Sequence, residues 1–306
     1  MLLFLTSQNS PSSDAIMHIL AERRIPAFRF NFDMFNSYEF YWNDEYFEII
    51  NPVKAHCKSN EISIMTYYHA RMTIDQTIQN MELYQGESKW IISWLNHLHD
   101  CLVAWGHDSN KLRLFTTAGA AYSKTYQMAK AKKYFSVPGY YLHWGRNLPH
   151  HDVIAKTLTQ RPFSSGATMY AKITDQGDLS PEWPWFTQEI ADGDRDATVL
   201  YINGHIHSYQ FATVRGELTD WRVTQGTDRN KWIPWEPGRD FERKIDAYMK
   251  ELGLKYGRLD FIIGGREPQF LEVNPCGQFG WLDDKKLTLH NEVVDAILDQ
   301  SSTIER

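Results

Sequence analysis

Apolar and polar positions alternate along this chain in runs that change period several times. Met1 to Thr6 is an unbroken apolar run, read as a buried strand. SQNSPSSDA follows as a polar turn rich in helix-capping residues, and Asp14 to Arg24 carries Ile16, Ile19 and Leu20 on one helical stripe. IPAFRFNFDMF then alternates as a second strand, so the chain opens on a βαβ unit with parallel strands. YEFYWNDEYFEIIN reads as two antiparallel strands turning at Asn43-Asp44, and Glu61 to Met65 as another short strand. Thr73 to Cys101 has helical spacing, with Trp90, Ile91, Trp94, Leu95 and Leu98 assigned to the core. A further helix spans Ala121 to Tyr134.

The second half changes character. VIAKTL at 153–158 is a strand, RPFSSGATMYAKIT a small-residue loop between strands, and WFTQEIA at 185–191 a strand that becomes a connector. ATVLYINGHIHSYQFA predicts a hairpin at Asn203-Gly204. Arg239 to Leu252 is an amphipathic helix stopped at Gly253, and GRLDFIIGGREPQFLEVN forms two strands joined through Gly264-Gly265. The class is α/β with α+β elements. No internal repeat or low-complexity segment interrupts it.

Length and composition narrow the reading. With 306 residues, 42% hydrophobic and 23% charged, the chain has the profile of a soluble globular protein of two or three units. The net charge of -6 gives no support for nucleic-acid binding, and no apolar run is long enough to span a membrane. The 14% of aromatic residues, with 11 Trp, suits an extended binding surface. Cys57, Cys101 and Cys276 are odd in number and lack CxxC spacing, which fits a reducing cytoplasm rather than a disulfide framework. MLLFLTSQNS lacks the basic start and length of a signal peptide.

The chemistry concentrates near the end, in FLEVNPCGQFGWLD. Residues two apart on a strand share a face, so Glu272 and Asn274 point the same way, and Asp260 on the preceding strand can lie across from them. Two carboxylates and an amide oxygen are hard ligands of the kind Mg²⁺ takes together with phosphate. Polar residues on an exposed hairpin are also common, so the triplet alone leaves a structural reading open. Lys156 interrupts an apolar strand and Lys124 sits on the earlier helix, each a candidate phosphate cation. Ser164-Ser165-Gly166 offers backbone N–H groups to phosphates, and Gln188-Glu189-Ile190 offers backbone groups to an adenine edge. His205 and His207 share a strand face as zinc ligands would, but no third ligand stands out. Cys276 reads as a small packed residue, and Trp281 as packing the exit of the turn.

The order of these pieces resembles the ATP-grasp ligases, and among them the peptide-modifying enzymes of graspetide (microviridin- and marinostatin-type) biosynthesis. FLEVNPCGQFGWLD is similar to that family's Leu-Glu-(Ile/Val)-Asn-Pro-x-Gly-Gln-(aromatic)-Gly, and LGLKYGRLDFII to its Leu-Gly-Leu-x-(aromatic)-Gly-x-x-Asp. MLLFLTSQNS and ERRIPAFRFNFDMF resemble its pre-ATP-grasp domain, while about 36 to 110 matches weakly. The resemblance implies an N-terminal pre-ATP-grasp domain over 1–115, a central subdomain over 116–185 and a metal-bearing C-terminal subdomain over 186–306. It implies Mg²⁺ on Asp260, Glu272 and Asn274, ATP phosphates on Lys124, Lys156 and the Ser165 loop, an adenine hinge of Gln188, Glu189 and Ile190, and Arg222 of TDWRVTQG facing phosphate or a substrate carboxylate. The implied reaction activates Asp or Glu side chains of a ribosomal precursor peptide with ATP and forms esters or amides, in a homodimer or larger assembly. Alternatives are an amino-acid or small-peptide ligase and a degenerate ATP- or peptide-binding protein. One departure bears on this. The family's Arg on the strand after the hinge is replaced by Ala or Val in RDATVLYINGH, with Arg195 as the nearest substitute.

Overall fold

The computed structural model describes residues 1–68, 87–115, 123–145, 150–156, 172–212 and 232–304. Four sheets organise them. In the first, the fully buried β1 (Leu2–Thr6) lies parallel between β2 (Ala27–Asn31) and β6 (Ile64–Tyr67). The crossover from β1 to β2 is α1 (Pro11–Glu22). It starts three residues before Asp14, because Ser10 caps it and Pro11 has its φ preset for a first helical position. β6 begins later than expected, since Ser59–Glu61 form a 3-10 turn ahead of it. β3 (Glu39–Trp42), β4 (Phe47–Ile50) and β5 (His56–Lys58) form a small antiparallel sheet beside this unit.

α2 (Ser88–Asp108) buries Ile91, Leu95, Leu98 and Leu102. Residues 73–86 of the expected longer helix lie outside the described residues. The core assignment of the two tryptophans is corrected: Trp90 is 69% exposed and Trp94 46%. Each precedes a buried residue by one position, which turns it about 100° away from the buried stripe.

The middle sheet has the order β7-β10-β8-β9 and is antiparallel throughout. Its strands are β7 (Tyr140–His143), β8 (Asp152–Lys156), β9 (Lys172–Asp175) and β10 (Trp185–Gln188). The last sheet has the order β13-β12-β11-β14-β15. β11 (Gly193–Ile202) and β12 (His205–Phe211) turn at Asn203 (φ 46) and Gly204 (φ 99), the left-handed pair that a two-residue hairpin needs. β13 (Trp232–Pro234) forms one edge, and β14 (Tyr256–Gly264) and β15 (Gln269–Asn274) the other side.

Alternation along these strands gives the last sheet two distinct faces. Ala197, Val199, Leu259, Phe261 and Val273 pack with Ile245, Tyr248 and Met249 of α4 (Arg239–Glu251) and with Met128 and Ala131 of α3 (Lys124–Ala131). On the opposite face Leu200, Ile202 and Tyr256 join the N-terminal core together with Val293 and Ile297 of α5 (Thr288–Leu298). Asp260, Glu272 and Asn274 lie on this second face. Among the described residues no helix is long and apolar enough to cross a membrane.

Candidate active site

β14 and β15 place Asp260 directly opposite Glu272, and Arg258 opposite Asn274, with a bulge in the ladder just beyond Asp260. The Asn274 amide donates to Asp260 Oδ2 at 3.2 Å and to Glu272 Oε1 at 3.3 Å. Thr198 on β11, facing Asp260, donates its hydroxyl to Oδ1 at 2.9 Å. The chain then leaves the site sharply. A Cβ on Gly277 would stand 2.7 Å from the Arg258 Cβ and 3.0 Å from the Asn274 Cβ, so only glycine lets the loop turn this close to both strands.

Two lysines bring positive charge to the carboxylates from other elements. Lys124, first residue of α3, places its Nζ 2.8 Å from Glu272 Oε2. Lys156, at the end of β8, donates to Gln188 Oε1 at 2.7 Å. Burial pushes the Glu272 carboxyl up, but the charges of Lys124, Lys156 and Arg258 and the Lys124 hydrogen bond outweigh it and hold the group at about 2. Glu272 is therefore ionised across the working pH range of ordinary enzymes. Among the described residues no three His, Cys, Asp or Glu side chains converge as metal ligands. The site is two carboxylates plus an amide, a hard-oxygen set of the kind Mg²⁺ takes when phosphate and water complete its shell.

Of the three residues expected to form an adenine hinge, Gln188 ends β10, and Glu189 and Ile190 follow it. Gln188 is 1% exposed, and its amide nitrogen is buried with no partner among the described residues, a donor that suits a bound nucleotide. Glu189 is otherwise engaged: its N–H donates to Gly139 O at 2.7 Å, and its carboxylate accepts from Gly139 N and Tyr141 Oη. Ile190 is 47% exposed. The structure thus brings Asp260, Glu272, Asn274, Lys124, Lys156 and Gln188 around one region, with Glu189 and Ile190 at its edge. Ser165 and Arg222 lie outside the described residues. Lys156→Ala is expected to weaken ATP binding about tenfold or more, the scale of a lost charge-assisted contact. Calorimetric affinity equal to that of the unaltered protein would remove Lys156 from the nucleotide site.

The expectation for the strand after the hinge is corrected. Arg195 pairs across from Ile263 and so lies on the α4 face with Ala197 and Val199, away from the carboxylates; its guanidinium contacts Gln210 at 3.5 Å. Thr198, not Ala or Val, is the β11 residue that faces the site. His205 and His207 both meet Glu292 of α5, at 3.2 and 2.7 Å, so they fasten the hairpin to a helix. Cys276 is buried, as a small packed residue should be.

Besides Thr198, two residues of the site were missed in the sequence. Arg258 donates to Asp260 Oδ2 at 3.1 Å and to Gln278 O at 3.0 Å, and stacks on Trp281 at 5.0 Å, which supplies that tryptophan's partner. Its signal was present: it stands two positions before Asp260, on the same face. Gln127 is buried and clasps Val273, donating to its carbonyl at 2.8 Å and accepting from its N–H at 3.2 Å. That clasp ties α3 to β15 beside Glu272, and no local pattern announces it.

The architecture and this placement of polar residues define an ATP-grasp fold. Its likenesses among solved structures run the length of the chain. An ATP-grasp ligase from Chryseobacterium gregarium, associated with ribosomally made peptides and solved with ADP and a leader and core peptide, matches with a TM-score of 0.80. It is 18% identical, with 100% of this chain and 98% of that one covered. The macrocyclase MdnC of Microcystis aeruginosa, bound with precursor peptide MdnA, matches at 0.76 with 19% identity over 98% of this chain and 100% of its own. A D-alanine–D-alanine ligase from Bacillus anthracis matches at 0.53 with 11% identity, over 98% and 97%. At these identities the likeness shows the fold. No protein-family model matches the sequence, and no curated protein matches it.

Proposed function

We propose that this protein is an ATP-dependent peptide macrocyclase that joins Asp or Glu side chains of a ribosomal precursor to Ser, Thr or Lys side chains, releasing ADP and phosphate. The observation that carries the reading is the convergence of Asp260, Glu272 and Asn274 with Lys124 and Lys156. It is a charge-balanced cradle for a metal nucleotide, on a fold shared with ligases and macrocyclases solved with ADP or precursor peptides. Mg²⁺ on these three residues would supply charge neutralisation to the phosphates. The remaining work falls to side chains. Lys156, fixed by Gln188, holds negative charge where the nucleotide lies, and Arg258 keeps Asp260 in place beneath it. Arg222 and the Ser165 loop complete the proposed phosphate contacts.

A substrate carboxylate oxygen attacks the γ-phosphorus, and the bond to the ADP oxygen breaks. The resulting acyl phosphate is attacked at its carbonyl carbon by a hydroxyl or amine of the same peptide. Phosphate leaves, and the nucleophile's proton passes to phosphate or solvent. Both groups belong to one chain, so ring closure gains from proximity. No side-chain nucleophile is required.

In this reading 1–115, 116–185 and 186–306 are the three subdomains, with β10 straddling the last boundary. The protein acts as a homodimer or larger assembly in the cytoplasm, where its cysteines stay reduced. A degenerate ATP- or peptide-binding protein is the second reading, favoured by the missing arginine of the strand after the hinge: the β11 residue that faces Asp260 is Thr198. Coexpression with the precursor decides between them. Each ring is expected to lower the peptide mass by one water and to yield one ADP. AMP with pyrophosphate would reject the acyl-phosphate route, and an unchanged precursor would favour the second reading.

A further inference from the structure

The ion pair between Lys124 and Glu272 has a consequence beyond charge balance. An ammonium and a divalent cation sharing Glu272 Oε2 would repel each other at short range and compete for its charge, and Lys124 Nζ already lies 2.8 Å from it. We propose that Lys124 is an exchangeable counter-ion. It neutralises Glu272 until a metal takes that oxygen, and the released ammonium then turns to the nucleotide's phosphates. Metal and nucleotide binding are coupled through this one side chain. The inference rests on the metal reading of Asp260, Glu272 and Asn274.

Three observations support it. Lys124 is the first residue of α3, where the helix dipole repels a cation, so the pair with Glu272 offsets an unfavourable position and an anionic phosphate would serve equally well. The backbone cannot follow the exchange, because Gln127, one turn further on, is clasped to Val273 through two hydrogen bonds. The movement is therefore confined to the four-carbon stem of the lysine, whose side chain is only 22% exposed. Lys156 differs. It is bonded to Gln188 Oε1 and acts on Glu272 through its charge.

The test is Mn²⁺ binding, by electron paramagnetic resonance or calorimetry, with and without ADP, for the unaltered protein, K124M, K124R and E272Q, each verified as folded by circular dichroism. K124M is expected to bind Mn²⁺ about tenfold more tightly than the unaltered protein without ADP, as loss of a competing cation dictates. The tightening of Mn²⁺ binding by ADP is expected to shrink in K124M by a similar factor, and K124R to keep both properties of the unaltered protein. If K124M binds Mn²⁺ no more tightly, while E272Q still abolishes binding, the exchange is wrong and the metal site stands. If the unaltered protein shows no saturable Mn²⁺ binding, the metal reading itself fails.

Discussion

Glu272→Gln is expected to abolish Mg²⁺-dependent turnover, by about a thousandfold or more, while the protein keeps its fold. The expected size follows from what a bound metal supplies to phosphoryl transfer, several kcal/mol of charge stabilisation. The amide is nearly the shape of the acid, so the β14–β15 ladder and the bond from Asn274 need not change. What is lost is the charge that attracts a hard cation and answers Lys124. Asn274→Ala is expected to reach the same end by a different route, removing the oxygen ligand and both bonds that hold the carboxylates together. Turnover equal to the unaltered protein in either variant would sink the metal assignment, and circular dichroism with thermal melting checks the fold. A pH signature accompanies it. Glu272 is depressed from the ordinary 4.5 to about 2 by its cationic neighbours against the upward push of burial. Its stabilising contribution is thus fully present above the ordinary value and is lost as pH falls toward 2. Acid unfolding of the unaltered protein should steepen across that window relative to the Gln variant, and turnover should show no limb from Glu272 near neutrality.

The heart of this site was legible because it obeys a period of two. Glu272 and Asn274 flank one residue, Asp260 lies on the partner strand, and hairpin geometry does the rest. The Asn203-Gly204 turn was legible for the same reason: its residues tolerate the backbone that a tight hairpin needs. The failures were of other kinds. Trp90 and Trp94 fit an apolar count but miss the buried stripe by one position, so helical phase and not hydrophobicity decided their exposure. Arg195 sits beside a register shift at the start of β11, and strand parity then turns it toward α4. Lys124 to Glu272, Gln127 to Val273 and the histidines to Glu292 are long-range meetings. They depend on how α3 and α5 dock, which no local pattern contains.

Arg258→Met is expected to destabilise the protein by about 3 kcal/mol or more in chelator and to cut turnover at least a hundredfold even with excess Mg²⁺, because removing one member of a buried ion pair leaves the other uncompensated. Asp260 and Glu272 face each other across a ladder, an arrangement that like charges destabilise unless a cation intervenes. Arg258 is that cation for Asp260: its pairing holds the guanidinium charged despite burial, and its stack on Trp281 fixes the fork. A bound divalent ion supplies positive charge to the same carboxylates, so Mg²⁺ should raise the melting temperature of the Met variant more than that of the unaltered protein. Lost stability should therefore return with metal, and lost turnover should not, because the loop carrying Gln278 also loses its anchor. Arg258→Lys keeps the charge but not the fork or the flat stack, and is expected to fall between the two. A Met variant that melts with the unaltered protein in chelator, and gains no more from Mg²⁺, would show that Asp260 does not need this arginine. Equal turnover would show that β14 and β15 do not depend on it for their position.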